Sequence, residues 1–178
     1  MIFTAATLNG CFVIDGQSHR DDRGFFARTM CRDEFAAHGL AADFVQANHS
    51  FNYRRGTLRG LHLQRPPHLE AKLMRCIRGA SYNVVVDLRP DSPTYMRWEG
   101  FELSLENGRQ IYVPGGCANG YQTLADDVDV IYQVTHVYTP AAEAGIRFDD
   151  PAFSIAWPEP VTAISDKDRS WPLYRDGI

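Results

Sequence analysis

From residue 72 onward the apolar positions fall in short runs, KLMRCIRG, SYNVVVDLRP, FELSLENG, RQIYVPGG, NGYQTLA and DVIYQVTHVY, punctuated by Gly, Pro, Asn and Asp. Runs of that length and spacing predict an antiparallel sandwich or barrel. Upstream, residues 2–14 read as one or two extended segments ending in a turn at Asp15 and Gly16. Residues 32–38, RDEFAAH, predict a short helix stopped by Gly39. In FVQANHS, residues 44–50, Gln46, Asn48 and Ser50 alternate with Val45, Ala47 and His49. Polar side chains repeated at period two mark either a solvent face or a polar-lined cavity. From Pro140 the chain is loop-like and proline-bearing, a segment expected to wrap over a preformed barrel. The prediction is therefore all-β, with N-terminal strands in 2–14, a barrel core over about residues 40–140, a wrapping segment 140–178 and a few short peripheral helices.

Composition narrows the class. With 178 residues, 44% of them apolar and 22% charged, the chain is the size of one globular domain. A formal charge of -4 gives no basic footprint for nucleic acid or an anionic membrane. The first apolar residues are broken by Thr4, Thr7, Asn9 and Gly10 with no basic region before them, so neither a signal peptide nor a span is expected and a cytoplasmic location is. Cys11, Cys31, Cys76 and Cys117 are scattered without C-x-x-C spacing, which predicts four thiols rather than a zinc site or a disulfide framework.

The stretch GTLRGLHLQ, residues 56–64, carries the candidate chemistry. Its alternation predicts a strand with Leu58, Gly60, His62 and Gln64 on one side and Arg59, Leu61 and Leu63 on the other. A lone histidine on such a strand is most often a hydrogen-bonded core residue, so its neighbours in sequence must decide. Gly56 followed after five residues by His62-Leu63-Gln64, with Glu70 beyond, resembles the first motif of the cupin barrels. Gly108 followed by Pro114, Gly116 and Asn119 resembles the second. In those barrels the places of Gln64 and Asn119 belong to histidines, and a neutral amide is a poor ligand for a first-row metal. No metal and no cofactor are expected, which leaves His62 available as a base. A metal-dependent cupin oxygenase or isomerase is the competing class, and a nucleotide-sugar binding module without chemistry is a third.

A closer resemblance covers nearly the whole chain. RGFF at 23–26, QANHS at 46–50, GTLRGLHLQ at 56–64, KLMRC at 72–76, VVDLRPDSPTY at 85–95, VPGGCANGYQTL at 113–124, IYQVTHVYTP at 131–140, DDPAFSIAWP at 149–158 and ISDKD at 164–168 stand in the order found in the dTDP-4-dehydrorhamnose 3,5-epimerase family. The resemblance implies a metal-free cupin-type jelly-roll barrel, usually a homodimer, that inverts carbons next to the ketone of a nucleotide-linked 4-keto-6-deoxyhexose. It assigns His62 as base, Asp168 as the carboxylate orienting it, Lys72 as stabiliser of the enolate and Tyr132 as the acid on the opposite face. It also points to Arg23 and Arg59 for the phosphates, Gln46, Asn48 and Glu143 for hydrogen bonds, and Phe26 and Tyr138 beside the base. An N-terminal strand adding to a neighbour's sheet edge would suit a dimer.

Two positions depart from the family pattern. Asn119 stands where an A-H-G-F segment has histidine, and Arg28 stands where a glutamate commonly follows RGFF. Asn119 is expected to donate one hydrogen bond to a substrate oxygen without relaying a proton. Arg28 reverses a charge near the expected nucleotide pocket. These departures leave open a CDP- or GDP-linked sugar and inversion at only carbon 3 or only carbon 5.

Overall fold

The computed structural model describes residues 1–175 and is built almost entirely of strands. The first are Ile2–Ala5 (β1), Phe12–Asp15 (β2), Ser18–Asp21 (β3) and Gly24–Ala27 (β4). After helix Arg32–Ala37 (α1) come Gln46–Asn52 (β5), Leu58–Gln64 (β6), Lys72–Arg78 (β7), Ala80–Asp87 (β8) and Trp98–Ser104 (β9). Arg109–Val113 (β10), Cys117–Thr123 (β11), Val128–Val134 (β12) and Glu143–Gly145 (β13) complete the strands. They form a six-stranded sheet in the order β1-β2-β10-β7-β12-β5, a five-stranded sheet in the order β13-β6-β11-β8-β9, and the separate hairpin β3-β4. All pairings within these sheets are antiparallel.

The two sheets pack face to face as a cupin-type jelly roll. Met74, Ile111, Val113 and Val130 of the six-stranded sheet meet Val85, Phe101, Leu103 and Cys117 of the five-stranded one in a single buried cluster. Continuous apolar runs arise because outer faces are covered too. In β8, Val85 points into that core while Val84 and Val86 point outward beneath Ile146, Phe153, Ile155 and Trp157 of the C-terminal segment. On the far side, α1 is only six residues long and depends on packing rather than propensity. Its Phe35 is fully buried among Phe3, Phe44 and Tyr112, with Asp33 and Glu34 in the first turn opposing the helix dipole. Gly39, at φ +71°, ends it as the sequence predicts.

The C-terminal segment differs from the expected loop. Asp166–Ser170 forms a second helix (α2), whose N-terminus is capped by the Ser165 hydroxyl accepting from the Asp168 N–H. Residues 176–178 of the predicted wrapping segment lie outside the described residues. Arg89, which sequence alone leaves unplaced, is structural. It donates to the fully buried carboxylate of Asp87, which also accepts from Ser92 and Thr94 and so holds the turn after β8. Burial pushes the Asp87 carboxyl up, but those donors outweigh it and hold the group well below the usual carboxylate range.

Strand β6 also departs from simple alternation. His62 pairs with Asn119 and Arg59 with Tyr121, so three steps on β6 match two on β11. This bulge inserts one residue and brings Arg59 round to the same wall as His62, whereas strict alternation places them on opposite faces. Glycines permit it. Gly60 has φ +114°, and a Cβ there would lie 2.5 Å from the Gly120 Cα. Gly60→Ala should therefore lower stability by about 2 kcal/mol or more and misplace Arg59 and His62. Urea unfolding against the wild type measures the first effect, and loss of activity in the folded variant the second.

Candidate active site

The half of the barrel interior not filled by hydrocarbon is polar. Alternation on β5 turns Gln46, Asn48 and Ser50 inward and leaves Ala47 and His49 exposed, which resolves the two readings of that strand in favour of a cavity. A central lobe of about 150 Å³ is walled by Ser50, His62, Lys72, Asn119, Tyr132 and Asp168. His62, Lys72 and Tyr132 also border a wider lobe of about 360 Å³ that reaches Gln46, Tyr138 and Glu143. Arg59 and Asp168 border a third, of about 460 Å³, that reaches Phe51, Thr57 and Ser165.

Asp168 is brought to the centre by α2. Its Oδ1 lies 2.6 Å from His62 Nε2 and accepts from Trp171 Nε1 at 3.3 Å, while its Oδ2 accepts the Gly60 N–H at 3.1 Å. The Trp171 ring lies 6.2 Å from the imidazole and closes the site from behind. Burial raises the Asp168 carboxyl, but the His62 bond and charge, the Gly60 N–H and the indole prevail and hold it below its usual value of 3.8. The ring nitrogen of His62 opposite this carboxylate is the one left for a substrate proton.

The remaining polar groups are fixed by neighbours. Lys72 is 8% exposed, with Nζ donating to the His62 carbonyl at 3.3 Å and lying 3.4 Å from Glu70 Oε1. Tyr132 is half-buried on the wall of the same lobe. Desolvation, with Tyr121 and Glu70 nearby, raises its phenol above 10.0 against the opposing charge of Arg59, so it stays protonated at neutral pH. Gln64, in the cupin histidine position, donates to Glu70 Oε2 and accepts the Thr139 N–H at 2.6 Å, tying two loops together. In the wider lobe Gln46 donates to Asn48 and accepts the Tyr138 N–H, while the Tyr138 hydroxyl donates to Glu143 at 3.0 Å. Lys167 donates to the other Glu143 oxygen at 2.5 Å.

Four of the expected residues have other surroundings. Asn119 turns its amide nitrogen to the Val84 and Gly120 carbonyls, at 3.2 and 3.4 Å, so both N–H donors are spent and it presents an acceptor, not a donor, to the lobe. Arg28 lies outside these lobes and pairs at 2.6 Å with Glu34, which also holds the N-terminal ammonium. Arg23 and Phe26 sit on the β3-β4 hairpin, outside the cavity, with the Arg23 side chain 90% exposed and Phe26 72% exposed. Sequence reasoning missed Lys167, although it lies in the ISDKD block beside Asp168. It also assigned no role to Tyr121 and Ser50, although both stand in quoted blocks, VPGGCANGYQTL and QANHS, and line the central lobe.

A jelly-roll barrel with a carboxylate-held imidazole, a neutral phenol and a buried ammonium around one small lobe has the parts of a proton-transfer enzyme. The family model described as dTDP-4-dehydrorhamnose 3,5-epimerase matches residues 5–176, and the chain belongs to that family. A relative of that name from Methanothermobacter thermautotrophicus is 41% identical over 177 residues, covering 98% of this chain and 95% of its own. The crystal structure of the Bacillus anthracis dTDP-4-dehydrorhamnose 3,5-epimerase with TDP and PPi bound superposes with a TM-score of 0.94 at 37% identity, covering 97% of this chain and 99% of that one. The Legionella pneumophila dTDP-6-deoxy-D-glucose-3,5-epimerase, in complex with dTDP-4-keto-L-rhamnose, gives 0.87 at 35% identity over 94% of this chain and 89% of that one.

Because the Asp168 carboxyl is held low in the fold, its contribution to stability is complete above about pH 3.8 and is lost as pH falls through the folded value. Asp168→Ala should cost about 3 kcal/mol at pH 7, since three donors lose their acceptor. The gap between wild type and variant in urea unfolding should narrow below pH 3.8.

Proposed function

We propose that the protein epimerises a dTDP-linked 4-keto-6-deoxyhexose at carbons 3 and 5 through an enolate. The observation that carries this reading is the sharing of one lobe by His62, Lys72, Tyr132 and Asp168. A hydrogen on a carbon next to the ketone is acidic only because its electron pair can pass to the carbonyl oxygen. His62, oriented by Asp168, takes that proton, and the pair moves to the oxygen near the Lys72 ammonium. Tyr132 then returns a proton to the opposite face of the carbon, and the phenolate and imidazolium reset with solvent. Each positioned acid or base contributes about 10² to 10⁴ in rate.

The nucleotide diphosphate lies along the wider lobe, with Gln46, Asn48 and Lys167 toward the phosphates and Tyr138 and Glu143 toward the base, while Arg59 reaches the phosphates from the wall of the central lobe. The working unit is a homodimer. Its interface is the outer face of the six-stranded sheet, where Ala47, His49 and Ile131 border a groove and the buried Arg75 Nε has no hydrogen-bond partner among the described residues. The exposed hairpin then carries Arg23 and Phe26 to the neighbour's nucleotide. Sedimentation at assay concentration should find twice the 20.1 kDa chain mass, and a monomer would remove this part of the proposal.

In heavy water, the dTDP-linked 4-keto-6-deoxy sugar should take up deuterium at carbons 3 and 5. His62→Ala should lower uptake at both by about 10³-fold with little change in dTDP affinity. Tyr132→Phe should still wash out hydrogen but lose inversion, because the base remains and the opposite acid does not. Uptake at one carbon alone would fit the single missing donor at Asn119, and uptake only from CDP- or GDP-linked sugars would move the nucleotide assignment. No uptake from any of them would defeat the proposal.

A further inference from the structure

The floor of the central lobe holds a chain of four hydrogen-bonding side chains whose direction is set at one end. Arg59 can only donate, and its Nε gives its proton to Asn52 Oδ1 at 2.8 Å. Asn52 is 2% exposed, and its Nδ2 faces the Val128 carbonyl at 3.1 Å and the Ser50 carbonyl at 3.4 Å, which fixes the amide the same way round. The same Nδ2 lies 3.3 Å from the Tyr121 hydroxyl, whose oxygen accepts from it. Tyr121 then has one proton to give. Asn52 Oδ1 is 3.4 Å away and already serves Arg59, whereas Ser50 Oγ is 2.6 Å away. The Ser50 oxygen accepts it, and the Ser50 proton is left to point into the lobe that Ser50 lines.

We infer that Tyr121 is a positioning residue that, through this one-way chain, turns the Ser50 hydroxyl into a donor aimed at the keto oxygen as it becomes an enolate. This rests on the epimerase reading. Burial raises the Tyr121 phenol and keeps it protonated, as a donor must be. The chain also supplies what Asn119 does not, since both of its amide protons are turned to backbone carbonyls. A donor whose orientation is settled before reaction stabilises developing charge without reorganising at that moment.

The test is a double-mutant cycle of Tyr121→Phe and Ser50→Ala, read as kcat and KM for deuterium uptake at each carbon. Each single change should lower kcat by about 10²-fold with KM little altered. The second change should add almost nothing to the first, because both remove the same donor. Thermal unfolding of each variant establishes that it is folded at the assay temperature, and Ser50→Ala carries the same expectation if Tyr121→Phe is not. Wild-type kcat in both variants, independent multiplicative losses, or a loss confined to KM would overturn the inference while leaving the epimerase reading intact. An inactive wild type would overturn both.

Discussion

One buried carboxylate joins the helix at 166–170 to the polar wall of the barrel. Asp168 accepts from an imidazole on β6, from the backbone of the glycine two residues before it, and from an indole three residues after itself. An unpaired charge at 4% exposure would be expensive, and these donors are what make the position tolerable. The same bonds dictate the local shape. Trp171 must lie against Gly145 of β13, where a Cβ would come within 2.5 Å of the ring, so β13, β6 and α2 are locked as one unit.

The barrel interior is divided between hydrocarbon and polar groups, and the polar half survives by being satisfied. Lys72 has Glu70, Lys167 has Glu143, Gln64 bridges two loops, and Asn119 answers two strand carbonyls. Such partners remove rotamer freedom before any ligand arrives, so binding has less ordering to oppose it. They also set what each group can offer. An amide whose nitrogen is occupied can only accept, whereas a phenol that accepts from an amide still has its own proton to donate.

The strand pattern, the short helix at 32–38 and the polar stripe on β5 were legible along the chain because each depends on periodicities of 2 or 3.6 and on glycine stops. The second helix was legible in principle, since Ser165 followed by Asp166 and Asp168 is a capped acidic first turn. It was obscured by the prolines around it.

The sequence by itself determined the class of barrel, the period-two stripe of polar positions and, through ordered blocks of residues, the company His62 keeps with Lys72, Tyr132 and Asp168. Tertiary structure alone decided the rest. A register shift at Gly60 leaves no mark in an alternating pattern, yet it moves Arg59 to the other face of its strand. The donor or acceptor character of Asn119, the pairing of Arg28 with Glu34 and the direction of the chain from Arg59 to Ser50 depend on partners 6 to 71 residues away in sequence. Hydrogen bonding is decided by which groups meet, and long-range contacts are not written in local order.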